Sequence, residues 1–203
     1  MKILCVGRNY VEHAKELNNQ VPSEPVIFSK PDSALLLKNK PFFVPDFAEE
    51  FHHEVEVVIR INRLGKNIAA EFAHRYYDEV ALGVDFTARD LQAQLKSKGL
   101  PWEKSKAFDG SAVLSHFVKK EKFADWGDVQ FRLEVNGETR QEGNTNQMIF
   151  SVDELIAHVS QYFTLKIGDL IYTGTPAGVG QVQIGDRLQG YLQNDLMFDF
   201  LIK

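Results

Sequence analysis

Residues 51–60 read FHHEVEVVIR. Val55, Val57, Val58 and Ile59 give this run the β-branched density of a buried strand, yet Glu54 and Glu56 sit inside it. Side chains alternate between the faces of a strand, so the two glutamates point one way, with Val55 and Val57 opposite. The segment alone leaves two readings open. One is an edge strand with a solvated face; the other is a pair of carboxylates aimed at a common cation.

On either side the chain alternates short strands with few helices. KILCVG reads as a strand closed by Gly7, and EPVIFSKP as a strand bracketed by prolines. YVEHAKELN has helix-forming composition but is too short and polar to hold a helix by itself. EFAHRYYDEV predicts a helix, and ALGVDFTARD passes from strand into turn or helix. DLQAQLKSKG predicts a helix with Lys96 and Lys98 near its end and Gly99 as its stop. FRLEVNGETRQEG alternates on both sides of Asn136-Gly137, a strong short hairpin signal. Ser151, followed three residues later by Glu154, forms a capping box that opens an amphipathic helix. LIYTGTPAGVG, IGDRLQGYL and LMFDFLI are short strands separated by glycine turns. This order argues against a doubly wound parallel sheet and for a mixed α/β, predominantly β, single domain over residues 1–203.

Composition narrows the function. With 203 residues, 44% of them hydrophobic, the chain can bury one sizeable core. A net charge of −5 without blocks of like charge argues against a nucleic-acid surface, and an anionic ligand needs local positive charge. The single cysteine, Cys5, excludes an internal disulfide and fits a reducing compartment. The apolar run before Gly7 and Arg8 is too short for a signal peptide, and no stretch approaches a membrane span. The expected location is the cytoplasm or an organelle matrix.

Hard divalent cations take oxygen ligands, usually two or three carboxylates plus water. Glu54 and Glu56 can supply two, and Asp85, at the end of an apolar run, is a candidate third. Taken alone, Asp85 is as readily a turn or cap residue, and spacing does not prove that the three meet. Zinc fits less well: His52 and His53 adjoin Glu54, but there is no HExxH pattern and no cysteine pair. Both histidines read as structural.

The order of motifs resembles the fumarylacetoacetate hydrolase family, most closely its short acylpyruvate hydrolase and oxaloacetate decarboxylase-like members. The matching segments are GRNY, HAKE, SKP, HHEVE, DFTARDLQ, KGLPWEKSKAFDG, VNGETRQEGNT, MIFS and TGTPAGVG, spread over nearly the whole chain. The resemblance implies a mixed β-sandwich roll with a few peripheral helices, paired into homodimers. It implies that Glu54, Glu56 and Asp85 hold one Mg²⁺ or Mn²⁺. It also implies that His13 and Glu16 form a water-activating dyad on a short segment ordered over bound ligand, and that Lys106 stabilises an enolate or oxyanion. Arg89, Gln92 and Thr175 match substrate-binding positions, with Arg8 and Lys30 lining the site.

Read without the resemblance, His13 and Glu16 are an ordinary exposed pair, Lys106 and Arg89 are solvated cations, Gln92 is a solvated amide and Thr175 is a turn residue. TGTPAGVG lacks the lysine of a phosphate-binding loop. The expected activity is metal-dependent hydrolysis of a C–C bond in a small 2-oxo acid of the acylpyruvate type, with oxaloacetate decarboxylation beside it. The alternatives are isomerisation of a 2-hydroxydienoate or oxaloacetate, and a non-catalytic 2-oxo acid binding module.

Overall fold

In the computed structural model, which describes residues 1–17 and 19–203, Glu54 divides the strand signal at 51–61 in two. Phe51–His53 joins a small three-stranded sheet with Thr87–Ala88 and Gly180–Gln181. Val55–Ile61 lies inside an eight-stranded sheet, between Leu170–Tyr172 and Tyr77–Asp85. The glutamates are therefore not on an edge, and the solvated-edge reading fails.

The large sheet is mixed. Ile3–Gly7 runs parallel to Leu170–Tyr172, and Leu35–Leu37 parallel to Ala112–Leu114, while its other pairings are antiparallel. One face, with Val55, Val57, Ile59, Leu82 and Val84, belongs to a core shared with Phe131, Leu133, Leu188 and Phe198. Those four residues come from a second, four-stranded antiparallel sheet that includes the expected hairpin Gln130–Val135 and Glu138–Asn144. Asn136 and Gly137 both have positive φ there, 55° and 81°, as a tight two-residue turn demands. The helix Val152–Tyr162 adds Val152, Leu155, Ile156 and Val159 to the same core, and Ser151 and Glu154 form its capping box. Each such aliphatic side chain contributes about 1.5–3 kcal/mol on burial. Mostly β structure with few helices is thus the architecture.

The other face carries a second cluster that includes Cys5, Val58, Ala81, Ala112 and the fully buried Tyr172. Glu54 and Glu56 share the parity of Val58, and Asp85 that of Ala81, so all three acids emerge on this side.

One expectation is corrected. EFAHRYYDEV was read as a helix, but only Ala70–Ala73 is helical, and Tyr77–Asp85 is a nine-residue strand. Its ladder with Val55–Ile61, from Ile61↔Tyr77 to Val55↔Val84, buries Tyr77 and Val80 and overrides local propensity. The helix at Arg89–Ser97 holds, and Gly99 follows its end at φ +63°. Among the described residues no helix is long and apolar enough to cross a membrane.

Gly83 lies opposite Glu56 where three elements crowd together. A Cβ there would sit 2.5 Å from the Val113 carbonyl oxygen and 2.7 Å from the Tyr172 ring. Gly83→Ala is expected to cost about 1–3 kcal/mol through overpacking. Urea unfolding checks this, and an unchanged midpoint counts against the packing described.

Candidate metal and substrate site

The paired strands around Val55–Ile61 and Tyr77–Asp85 leave the large sheet at the same level. Below that point Val55 pairs with Val84 and Glu56 with Gly83; above it Phe51 pairs with Ala88 and His52 with Thr87. Glu54 and Asp85 occupy the junction, linked by the Asp85 N–H donating to the Glu54 carbonyl oxygen at 2.9 Å. This crossover brings residues from two distant segments together. Glu54, Glu56 and Asp85 each offer an oxygen, all within 4.8 Å of one another, and are 5%, 2% and 0% exposed.

Three like charges do not stay buried uncompensated. Lys106, placed by the short helix Glu103–Lys106, donates from Nζ to Glu54 Oε2 at 2.8 Å, to Asp85 Oδ2 at 2.7 Å and to Thr87 Oγ1 at 2.6 Å. Arg89 Nη2 bonds Glu54 Oε1, and its Nη1 donates to Gln92 Oε1 at 2.7 Å. Lys30 Nζ lies 2.7 Å from Asp85 Oδ1, although that oxygen has no hydrogen-bond partner among the described residues. The Lys30 ammonium instead directs its hydrogen bonds to the Lys106 carbonyl and to Ser111. Glu56 Oε2 accepts from the Gly174 N–H at 2.7 Å.

These surroundings set the protonation states. Burial pushes Glu54 upward, but Lys106 and Arg89 outweigh it and hold its carboxyl well below the usual range. Glu56 goes the other way: burial, then Asp85 and Glu54, raise it well above an ordinary carboxylate. Burial lowers Lys106, but Asp85 and Glu54 reverse that and raise it, so it is a cation and donor rather than a base. A buried donor set made only of carboxylate oxygens, one from each of three residues and all within 4.8 Å of one another, fits a hard divalent cation.

The helix Val11–Glu16 roofs the site. His13 is buried, with Nδ1 3.1 Å from Glu16 Oε2, while Glu16 Oε1 accepts from the Gly178 N–H at 2.9 Å. The preceding residue-9 side chain secures this segment: Asn9 Nδ2 donates to Thr173 O and Phe150 O, and Asn9 Oδ1 accepts from Phe150 N. The cavity beneath it is small, about 40 Å³. Its wall includes Arg8, His13, Glu54, Glu56, Asp85, Arg89, Gln92, Lys106 and Thr175. Of the residues singled out in the sequence, Glu16 and Lys30 stand behind the wall, Glu16 on His13 and Lys30 on Asp85. Leu17, Asn19 and Lys96 also line it and carried no sequence signal. A second, open cavity of about 790 Å³ adjoins it. Both cavities share Phe28, Trp102 and Lys106, and the Phe28 and Trp102 rings meet edge-on at 6.0 Å, forming the partition.

The chain is similar to several known proteins. Residues 2–196 match the family model described as fumarylacetoacetate (FAA) hydrolase C-terminal. The chain is 44% identical over 206 residues to a mitochondrial oxaloacetate decarboxylase of Dictyostelium discoideum, covering 100% of this chain and 94% of that protein. It is 44% identical to the oxaloacetate tautomerase YcgM of Escherichia coli, covering 92% and 86%. It superposes on the fumarylpyruvate hydrolase of Pseudomonas aeruginosa, solved in complex with Mn²⁺ and pyruvate, with a TM-score of 0.93 and 34% identity, covering 100% and 90%.

The raised Glu56 gives a pH signature. The folded chain binds that proton more tightly than the unfolded chain does. The metal-free protein therefore loses stability as pH climbs from the ordinary carboxylate range toward the raised value. Glutamine needs no proton, so Glu56→Gln is expected to stabilise the metal-free protein by roughly 1–2 kcal/mol near pH 7, with the gap widening as pH rises. The same change is expected to abolish the Mn²⁺-induced rise in Tm. Thermal unfolding from pH 6 to 8 checks both, and a gap that narrows with pH contradicts the assignment.

Proposed function

The chain belongs to the fumarylacetoacetate hydrolase family, and on that premise we propose a Mg²⁺- or Mn²⁺-dependent enzyme that interconverts the keto and enol forms of a small 2-oxo dicarboxylate of the oxaloacetate class. The observation that carries this reading is the concentration of charged groups around a small polar cavity of about 40 Å³, which suits a short, highly charged ligand and not a long acyl chain.

Charge supports the same class. Glu54, Glu56 and Asp85, when all ionised, balance Lys30, Lys106 and Arg89, and Arg8 and Lys96 add positive charge at the cavity wall. The charge of any divalent cation held there is left for the ligand to neutralise, which favours a dianion. Glu54, Glu56 and Asp85 would hold the cation, which when bound supplies Lewis-acid stabilisation of enolate charge.

The chain's own groups do the rest. Glu16 on Nδ1 fixes the His13 tautomer and leaves the lone pair on Nε2, the arrangement of a general base for the proton on the carbon beside the keto group. Lys106 and Arg89 present positive charge where the enolate develops, and the roofing helix limits water. In this reading Arg89, Gln92, Thr175 and Arg8, which line the cavity, hold the carboxylates.

Hydrolysis of an acylpyruvate to pyruvate and a carboxylic acid, ranked first from sequence, is the second reading. It draws on the same imidazole, which can take a proton from water, and on the adjoining 790 Å³ cavity as space for an acyl group. Decarboxylation of oxaloacetate would share the enolate. Homodimer formation, and residence in the cytoplasm or an organelle matrix, complete the proposal.

The test follows the enol absorbance of oxaloacetate and of acetylpyruvate with Mn²⁺ present, with product analysis for pyruvate and acetate. Tautomerisation without cleavage supports the first reading, and acetate release the second. Tight pyruvate binding with no turnover of either would point to a binding module. His13→Ala is expected to slow turnover by about 10²–10⁴-fold while leaving Mn²⁺ affinity unchanged; full activity in that variant removes His13 as the base. Trp102→Ala breaches the partition and is expected to raise turnover of long-chain acylpyruvates about tenfold or more, about the discrimination a small change in an apolar pocket provides. No gain would mean that the partition does not set substrate size.

A further inference from the structure

We infer that Gln141, which stands behind the cavity wall, locks the Thr175 hydroxyl as a hydrogen-bond donor and thereby selects ligands that present an acceptor, a carboxylate above all, at that point. The inference rests on the reading above in which Thr175 meets a ligand carboxylate.

Two backbone groups fix the orientation of the Gln141 amide. Its Oε1 lies 3.0 Å from the Val55 N–H, a group that can only donate, so the atom facing it is oxygen. Its Nε2 lies 2.9 Å from the Pro176 carbonyl, a group that can only accept, so the atom facing it is nitrogen. His53 Nδ1, 2.9 Å from the same Oε1, must then carry a hydrogen, whichever charge state the ring adopts. The amide is 1% exposed and cannot turn without leaving these groups unpaired.

The second Nε2 hydrogen points to Thr175 Oγ1 at 2.8 Å. That oxygen is therefore an acceptor toward Gln141, and its own hydrogen is left over. Among the described residues no protein acceptor is hydrogen-bonded to it, and Thr175, 3% exposed, faces the cavity. The polarity runs one way, from His53 and Val55 through Gln141 to Thr175 and into the site. A hydroxyl usually rotates to suit either kind of partner; this one cannot do so without losing the Gln141 bond. Gln141 is thus a positioning residue, acting through Thr175.

The experiment measures the affinity of the Mn²⁺-loaded protein for pyruvate and for pyruvamide, whose amide presents donors where the carboxylate presents only acceptors. In Gln141→Met, a change without a new charge, no donor faces Thr175 Oγ1, so the hydroxyl can rotate and turn an oxygen lone pair to the cavity. The pyruvate-to-pyruvamide affinity ratio is expected to fall about tenfold, the upper scale of one neutral hydrogen bond. In a Thr175→Val background the substitution at 141 is expected to leave the ratio unchanged. A merely structural role lowers both affinities alike and keeps the ratio, which would overturn the inference.

Should Gln141→Met not fold, Thr175→Val alone decides. Loss of a committed donor costs pyruvate about tenfold more than pyruvamide, whereas an equal loss for both ligands rejects the donor assignment. If pyruvate does not bind the Mn²⁺-loaded wild-type protein, the functional reading fails and takes this inference with it. If pyruvate binds and only the dependence on residue 141 is missing, this inference fails alone.

Discussion

Three carboxylates held within 4.8 Å of one another under a protein surface are the costliest feature of this chain, and the surrounding architecture compensates for them. Each acid has its own answer. Glu54 is met by Lys106 and Arg89, Asp85 by Lys106 and Lys30, and Glu56 by the Gly174 N–H, while burial and its two acidic neighbours raise its pKa. Such a cluster contributes little to folding and is the kind of arrangement expected where function sets the cost.

The crossover of two strands from the large sheet to the small one makes the cluster possible. A straight ladder would keep Glu54 and Asp85 flat on the sheet face; leaving it at that residue pair opens a cleft between the sheets and the roofing helix. The segment Thr173–Gly180 then serves three parts of the site. Gly174 donates to Glu56, Thr175 faces the cavity, and Gly178 donates to Glu16 on the roof. At Gly178 the φ of +96° and the Arg140 carbonyl, 2.2 Å from where a Cβ would lie, leave room only for glycine.

Much of this was legible in the sequence because it is written in side chains with a period. The alternation around Glu54 and Glu56 placed both acids on one face, the Asn136-Gly137 pair marked a hairpin, and Ser151 with Glu154 marked a helix start. The end of an apolar run marks Asp85, motif order marks His13, Glu16, Lys106, Arg89 and Thr175, and the structure draws them together around one cavity. Other features left no readable trace. The break at Glu54 depends on which sheet each half joins, a tertiary matter. Residues 77–80 are helix-compatible, and only the ladder with Val55–Ile61 turns them into strand ahead of the strand signal at 81–85. Backbone donors at Gly174 and Gly178 have no side chain to announce them, and Gln141 reaches Thr175 across 34 residues without a spacing rule. Lys30 was read as a lining residue, but its depth behind Asp85 follows from sheet order alone.

The central claim is that Glu54, Glu56 and Asp85 act together as one divalent-cation site. Crystals grown with Mn²⁺ and pyruvate, with diffraction recorded at the manganese absorption edge, test it most directly. The expected result is a single anomalous peak within bonding distance of an oxygen from all three side chains. A peak elsewhere, or none beside a fully ordered acidic cluster, would contradict the account.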